Sequence, residues 1–178
     1  VTPRIKDTSR NLWYTYILLT GTEATLLWLA GMTPLDAIVH SFSTMASGGF
    51  STKNASIAAF HSPTIEWIVI FFMYLAAVNF GLYYLLSKGK WKSVFQDAEL
   101  RFFSTIILIF VGATAISLWS NNNYDVHRSI RSAAFQILSI TSTTGFALDD
   151  YELYAFGPQF MIFLCLLMGG MAGSTAGG

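Results

Sequence analysis

Two short stretches place glycine and hydroxyl residues where the chain around them is apolar. Met45–Thr52 reads MASGGFST, and Thr141–Ala147, 96 positions further on, reads TSTTGFA. Their cores pair Ser47, Gly48, Gly49 and Phe50 with Thr143, Thr144, Gly145 and Phe146. Each follows about three turns of helix-compatible sequence and precedes another apolar run. Glycine admits backbone angles that turn successive carbonyls to one side. Carbonyls so arranged take the place of the water around a cation in a narrow path. The chemistry implied is ion coordination by main-chain oxygen.

A third stretch, Gly169–Gly178, reads GGMAGSTAGG and cannot sustain a helix. The apolar helix before it has only about 11 residues, so the chain has advanced ~16 Å, about half of a hydrocarbon core. Irregular backbone at that depth must line a cavity or be buried in protein. The break therefore falls beneath the place where the two glycine loops meet. Gly169, Gly170, Gly173, Ser174, Thr175, Gly177 and Gly178 read as a gate under an ion path. A phosphate-binding loop is rejected, because Gly173 rather than a lysine precedes Ser174. A serine nucleophile at Ser174 needs a basic partner, and His40, His61 and His127 all fall toward the opposite side. Close helix packing by small residues explains one or two of these glycines and not all of them.

Composition sets the surroundings. The chain is 53% hydrophobic and 11% charged, whereas soluble domains carry roughly 25% charged residues. Ten basic and ten acidic residues balance, so net charge points to no nucleic-acid partner; the partner is the lipid bilayer. Cys165 is the single cysteine, which excludes an intramolecular disulfide and a cysteine metal site.

The elements that position these loops follow from the pattern. Leu12–Met32 is a first span, with Trp13, Tyr14, Tyr16 and Trp28 suited to interfaces. Glu23 interrupts it and must face protein or water; it reads either as a cation-attracting group or as a carboxyl satisfied by a neighbouring helix or by a proton. Thr33 and Pro34 open a short helix to Met45, with Asp36 at its positive end. At ~18 Å it cannot span and can only dip in. His40 within it reads as a packing or solvent residue. Ser51–His61 is a polar return loop, and its Asn54-Ala55-Ser56 sequon is a chance match. Ser62-Pro63 starts a second span, Thr64–Leu86, with Asn79-Phe80-Gly81 as a packing notch and Glu66 at its favourable first turn. A charged connector, Ser87–Arg101, leads to a third span, Phe102–Trp119. An Asn-rich turn, Ser120–Tyr124, and the cap Asp125 precede a second dipping helix, Val126–Ile140. Asp149, Asp150 and Glu152 follow as an acidic loop at the mouth, solvated or steering cations.

The fold class is therefore an all-α integral membrane protein of tandem helix–pore loop–helix repeats with a broken last helix. One repeat covers residues 1–100 with its connector, and a second covers 101–178 as far as the gate. Seven of the ten basic residues lie in Val1–Asn11 and Ser87–Arg101. The positive-inside rule puts those segments in the cytoplasm and brings the short helices in from outside. The chain reads as an excerpt of a longer protein.

Ser41–Thr52, Ser139–Tyr151 and Gly169–Gly178 resemble the bacterial potassium-uptake subunits of the Trk/Ktr/HKT superfamily, in order and over nearly the whole chain. The resemblance implies four such repeats around one pore, of which these are the second and third. It implies K⁺ as the transported ion, no cofactor and no enzymatic activity. The carbonyls around Ser47, Gly48, Gly49, Phe50, Thr143, Thr144, Gly145 and Phe146 would form the filter, and Gly169–Gly178 the intramembrane gating loop. It further implies the bacterial inner membrane, a homodimer and a cytosolic nucleotide-binding regulatory ring. A Na⁺-permeable or weakly selective relative stays open, because selectivity depends on filter geometry or carbonyl field strength that sequence does not give. The intramembrane hydrolase is disfavoured by the placement of the histidines, and a non-conducting scaffold by the repetition of a Gly-Phe loop after a capped short helix.

Overall fold

The computed structural model describes residues 2–121 and 124–177, and among these the chain is all-α, without a strand. Val1, Asn122, Asn123 and Gly178 lie outside the described residues. Helix α1 runs Thr2–Leu29, starting well before the expected Leu12. It buries Thr20, Glu23 and Leu27 at helical spacing and exposes Trp13, Tyr14, Ile17, Leu18 and Trp28, a one-sided pattern. Helix α2, Pro34–Met45, has the expected bounds. Thr33 accepts the Asp36 N–H at 3.2 Å, and Pro34 occupies the first turn.

The expected continuous second span is overturned. Helix α3 covers Pro63–Ala77, helix α4 covers Phe80–Ser87, and their axes meet at 93°. Val78 is extended, and Asn79 caps α4 by accepting the Gly81 N–H at 2.7 Å. A Cβ on Gly81 would sit 3.0 Å from that Asn79 oxygen, so glycine there makes room for the cap. The supposed packing notch is a helix start.

Helix α5, Trp91–Phe95, lies within the charged connector. Helix α6, Ala98–Asn121, begins where Asp97 accepts the Leu100 N–H at 2.8 Å. Among the described residues it alone is long and apolar enough to cross a membrane unaided. It exposes Leu108, Ile109, Ile116 and Trp119, as a helix in lipid does. Helix α7, Val126–Thr141, is capped by Asp125, and α8 is Phe156–Met168.

The order α1, α2, loop, α3 recurs as α6, α7, loop, α8. Helix α7 is the hub, packing on α6, α3 and α8. Its completely buried Phe135 and Ile137 join Leu27, Val69, Met73 and Leu118 in the main core. An ion pair between Arg131 of α7 and Glu66 of α3 ties the two halves together. Glu66 thus does more than suit a helix dipole, since its partner is a residue of the other repeat.

Candidate functional site

Both short helices end in a turn closed first by the same i→i−3 bond, and the next bond falls one residue later after α7 than after α2. The Ser47 N–H donates to the Thr44 carbonyl, and the Gly48 N–H to the Ser43 carbonyl at 2.8 Å, which satisfies the last carbonyls of α2. In α7 the Thr143 N–H donates to Ile140, and the Gly145 N–H to Ser139 at 3.0 Å. Ser47 and Thr143 take left-handed angles, φ 52° and 55°, where such a turn usually places glycine. Two residues later Gly49 and Gly145 are left-handed as well, at φ 66° and 78°. The residues between them, Gly48 and Thr144, are not. The sign of φ therefore alternates through both loops in the same register.

The loops meet. A Cβ on Gly49 would overlap the Thr144 carbonyl oxygen, while the Cβ position of Gly145 has nothing within 4 Å. Phe146 is buried and stacks 5.8 Å from His40 of α2; its counterpart Phe50 is 77% exposed. Each loop thus has one neighbour in the chain and one open side.

Behind the loops, buried polar side chains fix the segments that return from them. His40 is fully buried, with Nδ1 2.7 Å from the Asp36 carbonyl and Nε2 2.8 Å from Ser51 Oγ. A carbonyl only accepts, so Nδ1 carries the proton and the Ser51 hydroxyl donates to Nε2. Gln136, 96 positions on, is 2% exposed, and its Nε2 donates to the Asp149 carbonyl at 2.7 Å. The reading of His40 as a packing or solvent residue missed this pairing, although its offset from Gln136 equals that of the two motifs. Ser139 Oγ donates to the Phe146 carbonyl at 2.7 Å, and the Ala147 N–H donates to Ser56 Oγ at 3.2 Å. Glu23 is completely buried facing Thr44, and neither of its oxygens has a hydrogen-bond partner. It faces protein rather than lipid.

At the start of α2, Asp36 accepts from Thr33 Oγ1 at 2.8 Å and from Thr52 Oγ1 at 2.5 Å, with Lys53 at 3.6 Å. The Thr52 bond first, and the Thr33 bond next, hold its carboxyl below the usual range. Asp149 is not simply solvated, for Arg128 lies 3.6 Å away and Tyr154 donates to it at 3.2 Å. Asp150 caps the turn after it, accepting the Glu152 N–H at 3.0 Å.

Below the loops, α8 stops at Met168, and residues 169–177 are non-helical. A Cβ on Gly177 would lie 3.9 Å from Thr143 Oγ1, so this segment ends against the second loop. Its centre, residues 171–175, docks in the α3–α4 break. The Met171 N–H donates to the Ala77 carbonyl at 2.9 Å, the Thr175 N–H to the Ala76 carbonyl at 3.2 Å, and Thr175 Oγ1 to the same carbonyl at 3.0 Å. In return the Phe80 N–H donates to the Gly173 carbonyl at 3.1 Å. The groups left open by the break are those that the segment satisfies. Gly170 is packed tightly, for a Cβ there would lie 2.6 Å from that of Ala176. Ser174 Oγ accepts the Ala176 N–H at 3.2 Å, a turn contact rather than a nucleophile–base pair. Glu99 was not expected here; its Oε1 accepts the Ala172 N–H at 2.8 Å from the start of α6.

Paired re-entrant helices, touching glycine loops and a broken helix beneath them define a membrane protein of the helix–pore loop–helix class. A family model described as TrkH, cation transport protein, matches residues 1–178, and the chain belongs to that family. The Trk system potassium uptake protein TrkH of Halomonas elongata is 39% identical over 179 residues. The protein of the same name from Escherichia coli K12 is 40% identical over 178 residues. These alignments take in 100% and 99% of this chain but 37% of each relative, so the chain spans little more than a third of their length. The crystal structure of the potassium transporter TrkH from Vibrio parahaemolyticus superposes with a TM-score of 0.92 at 38% identity, over 100% of this chain and 39% of that one. These relatives bear the names of transport proteins, not of enzymes.

Proposed function

We propose that this chain forms two of the pore repeats of a potassium transporter, residues 1–100 and 101–178. In this reading K⁺ passes along main-chain carbonyls of Ser47, Gly48, Gly49 and Phe50 and of Thr143, Thr144 and Gly145, while Phe146 closes the second tetrad with its carbonyl held from behind by Ser139. The alternation of φ through each loop supports it. Such alternation gathers N–H groups on one side and leaves carbonyls to the other, where they take the place of an ion's hydration shell. The observation that carries the proposal is the contact of Gly49 with the Thr144 carbonyl, since a shared path requires the two loops to lie side by side. The names of the relatives supply the ion.

The open sides of the loops argue for further repeats of the same protein. Phe146 rests on the helix of the preceding repeat, and Gly49 rests on the loop of the following one. By the same rotation, exposed Phe50 receives a preceding helix and open Gly145 a following loop. Gly169, Gly170, Gly173, Ser174, Thr175, Gly177 and Gly178 form the gate below. The protein sits in the bacterial inner membrane, with its first residues and the 87–101 connector in the cytoplasm. A homodimer served by a cytosolic nucleotide-binding ring completes the assembly that the family resemblance implies.

The test is uptake of ⁸⁶Rb⁺ into liposomes carrying the full-length protein, with K⁺ or Na⁺ as competitor. Block by K⁺ and not by Na⁺ is expected. Equal competition would remove potassium selectivity from the proposal, and absence of flux would remove the pore.

A further inference from the structure

The gate segment is held by two kinds of bond. Those to Ala76, Ala77 and Phe80 are main-chain partners offered by a helix break, and the break stays where α3 and α4 put it. The bond from the Ala172 N–H to Glu99 Oε1 is different. It joins the middle of the gate to a side chain 73 residues away, on the first turn of α6. That turn is fixed to the connector by Asp97, which caps it through the Leu100 N–H at 2.8 Å. The connector carries Lys88, Lys90 and Lys92 and packs through α5 on both α4 and α6. A displacement of the connector therefore carries Glu99 with it.

We propose that Glu99 is a latch, a positioning residue through which the connector holds the gate in place beneath the filter. The inference rests on the reading of Gly169–Gly178 as the gate. Ala172 lies at the middle of the segment, between the main-chain bonds made by Met171 and by Gly173 and Thr175. Its bond adds a hold from α6 to a centre that Met171, Gly173 and Thr175 already dock on the break, so its loss loosens the segment without undocking it. Glu99 is exposed, so water competes for its bond. The latch is thus weak enough to open and strong enough to bias the gate. A gate in two positions shifts by the differential contact each position makes. One hydrogen bond of this kind corresponds to a shift of about threefold to tenfold.

The experiment is ⁸⁶Rb⁺ uptake by the full-length protein in liposomes, normalised to the folded protein recovered by size exclusion. Glu99→Ala is expected to raise uptake about threefold to tenfold, with K⁺ and Na⁺ competing as they do in the unaltered protein. Glu99→Gln keeps an acceptor oxygen and is expected to restore the original rate. Unchanged competition distinguishes a latch from general damage, which would disturb the filter as well. Gly170→Ala serves as the control for the gate itself, since its methyl collides with Ala176 and forces the segment apart. If Gly170→Ala raises uptake and Glu99→Ala does not, the gate stands and the latch fails. If neither raises it, the gate reading fails and takes the latch with it. A rise in Glu99→Gln equal to that in Glu99→Ala would also overturn the latch.

Discussion

Gly49 lies so close to the carbonyl oxygen of Thr144 that no side chain fits between them. The two residues belong to different loops, 95 positions apart in the chain. Gly49 is also left-handed at φ 66°, a conformation that costs an L-residue about 1–2 kcal/mol. Gly49→Ala therefore combines backbone strain with displacement of a carbonyl that we assign to the ion path.

In full-length protein Gly49→Ala is expected to lower ⁸⁶Rb⁺ uptake, or its preference for K⁺ over Na⁺, by about tenfold or more. Gly145→Ala is expected to do the same, because the loop of a following repeat would stand against it as Thr144 stands against Gly49. A mild effect at Gly145 beside a severe one at Gly49 would contradict that ring of loops.

Much of the fold was legible because short, strong local signals set it. Thr33-Pro34 and Asp125 fixed the starts of α2 and α7, since a capping oxygen answers N–H groups that a helix must leave open. The interruption at Gly169 was equally plain from its glycine density. The break at Val78–Asn79 was not. It sits in an apolar run with no proline, and only Asn79 beside Gly81 marks a cap and the space for it. Its cause is partly tertiary, because the carbonyls it frees are answered by a segment nearly 100 residues later. Glu99 was hidden for the same reason, as one carboxylate among the charges of the connector. His40 and Gln136 were readable in principle, for the 96-residue offset of the motifs relates them, but different residue types concealed the equivalence.

The start of α2 should be sensitive to acid through Asp36. Its hydrogen bonds to Thr52 and Thr33 hold its carboxyl below the unfolded value of about 3.9. A depressed pKa contributes stability that is fully present above the unfolded value and is lost as pH falls through the folded one. Thermal melts of the protein in detergent should therefore fall in midpoint as pH drops below about 4. Thr52→Val removes the larger of the two hydrogen bonds, so its melts should begin lower and lose less on acidification. A variant with the pH profile of the unaltered protein would show that the bond does not stabilise the fold.

His40 and Gln136 perform one task with different chemistry, each reaching from the buried side of a re-entrant helix to the segment that leaves its loop. Removal of the His40 ring takes away one of the two partners of Ser51 Oγ, leaving it the Lys53 N–H, and opens space beside Phe60 and Phe146, whose rings lie 5.3 and 5.8 Å from it. His40→Ala is expected to cost about 2–4 kcal/mol, from the lost hydrogen bonds and the cavity together. Glutamine at this position has an amide that can donate to the Ser51 hydroxyl, as Gln136 donates to Asp149. His40→Gln should recover most of the melting temperature and the K⁺ preference that His40→Ala loses. If it recovers neither, the ring packing against Phe60 and Phe146 outweighs the polar link, and the kinship of the two helices stops at their shape.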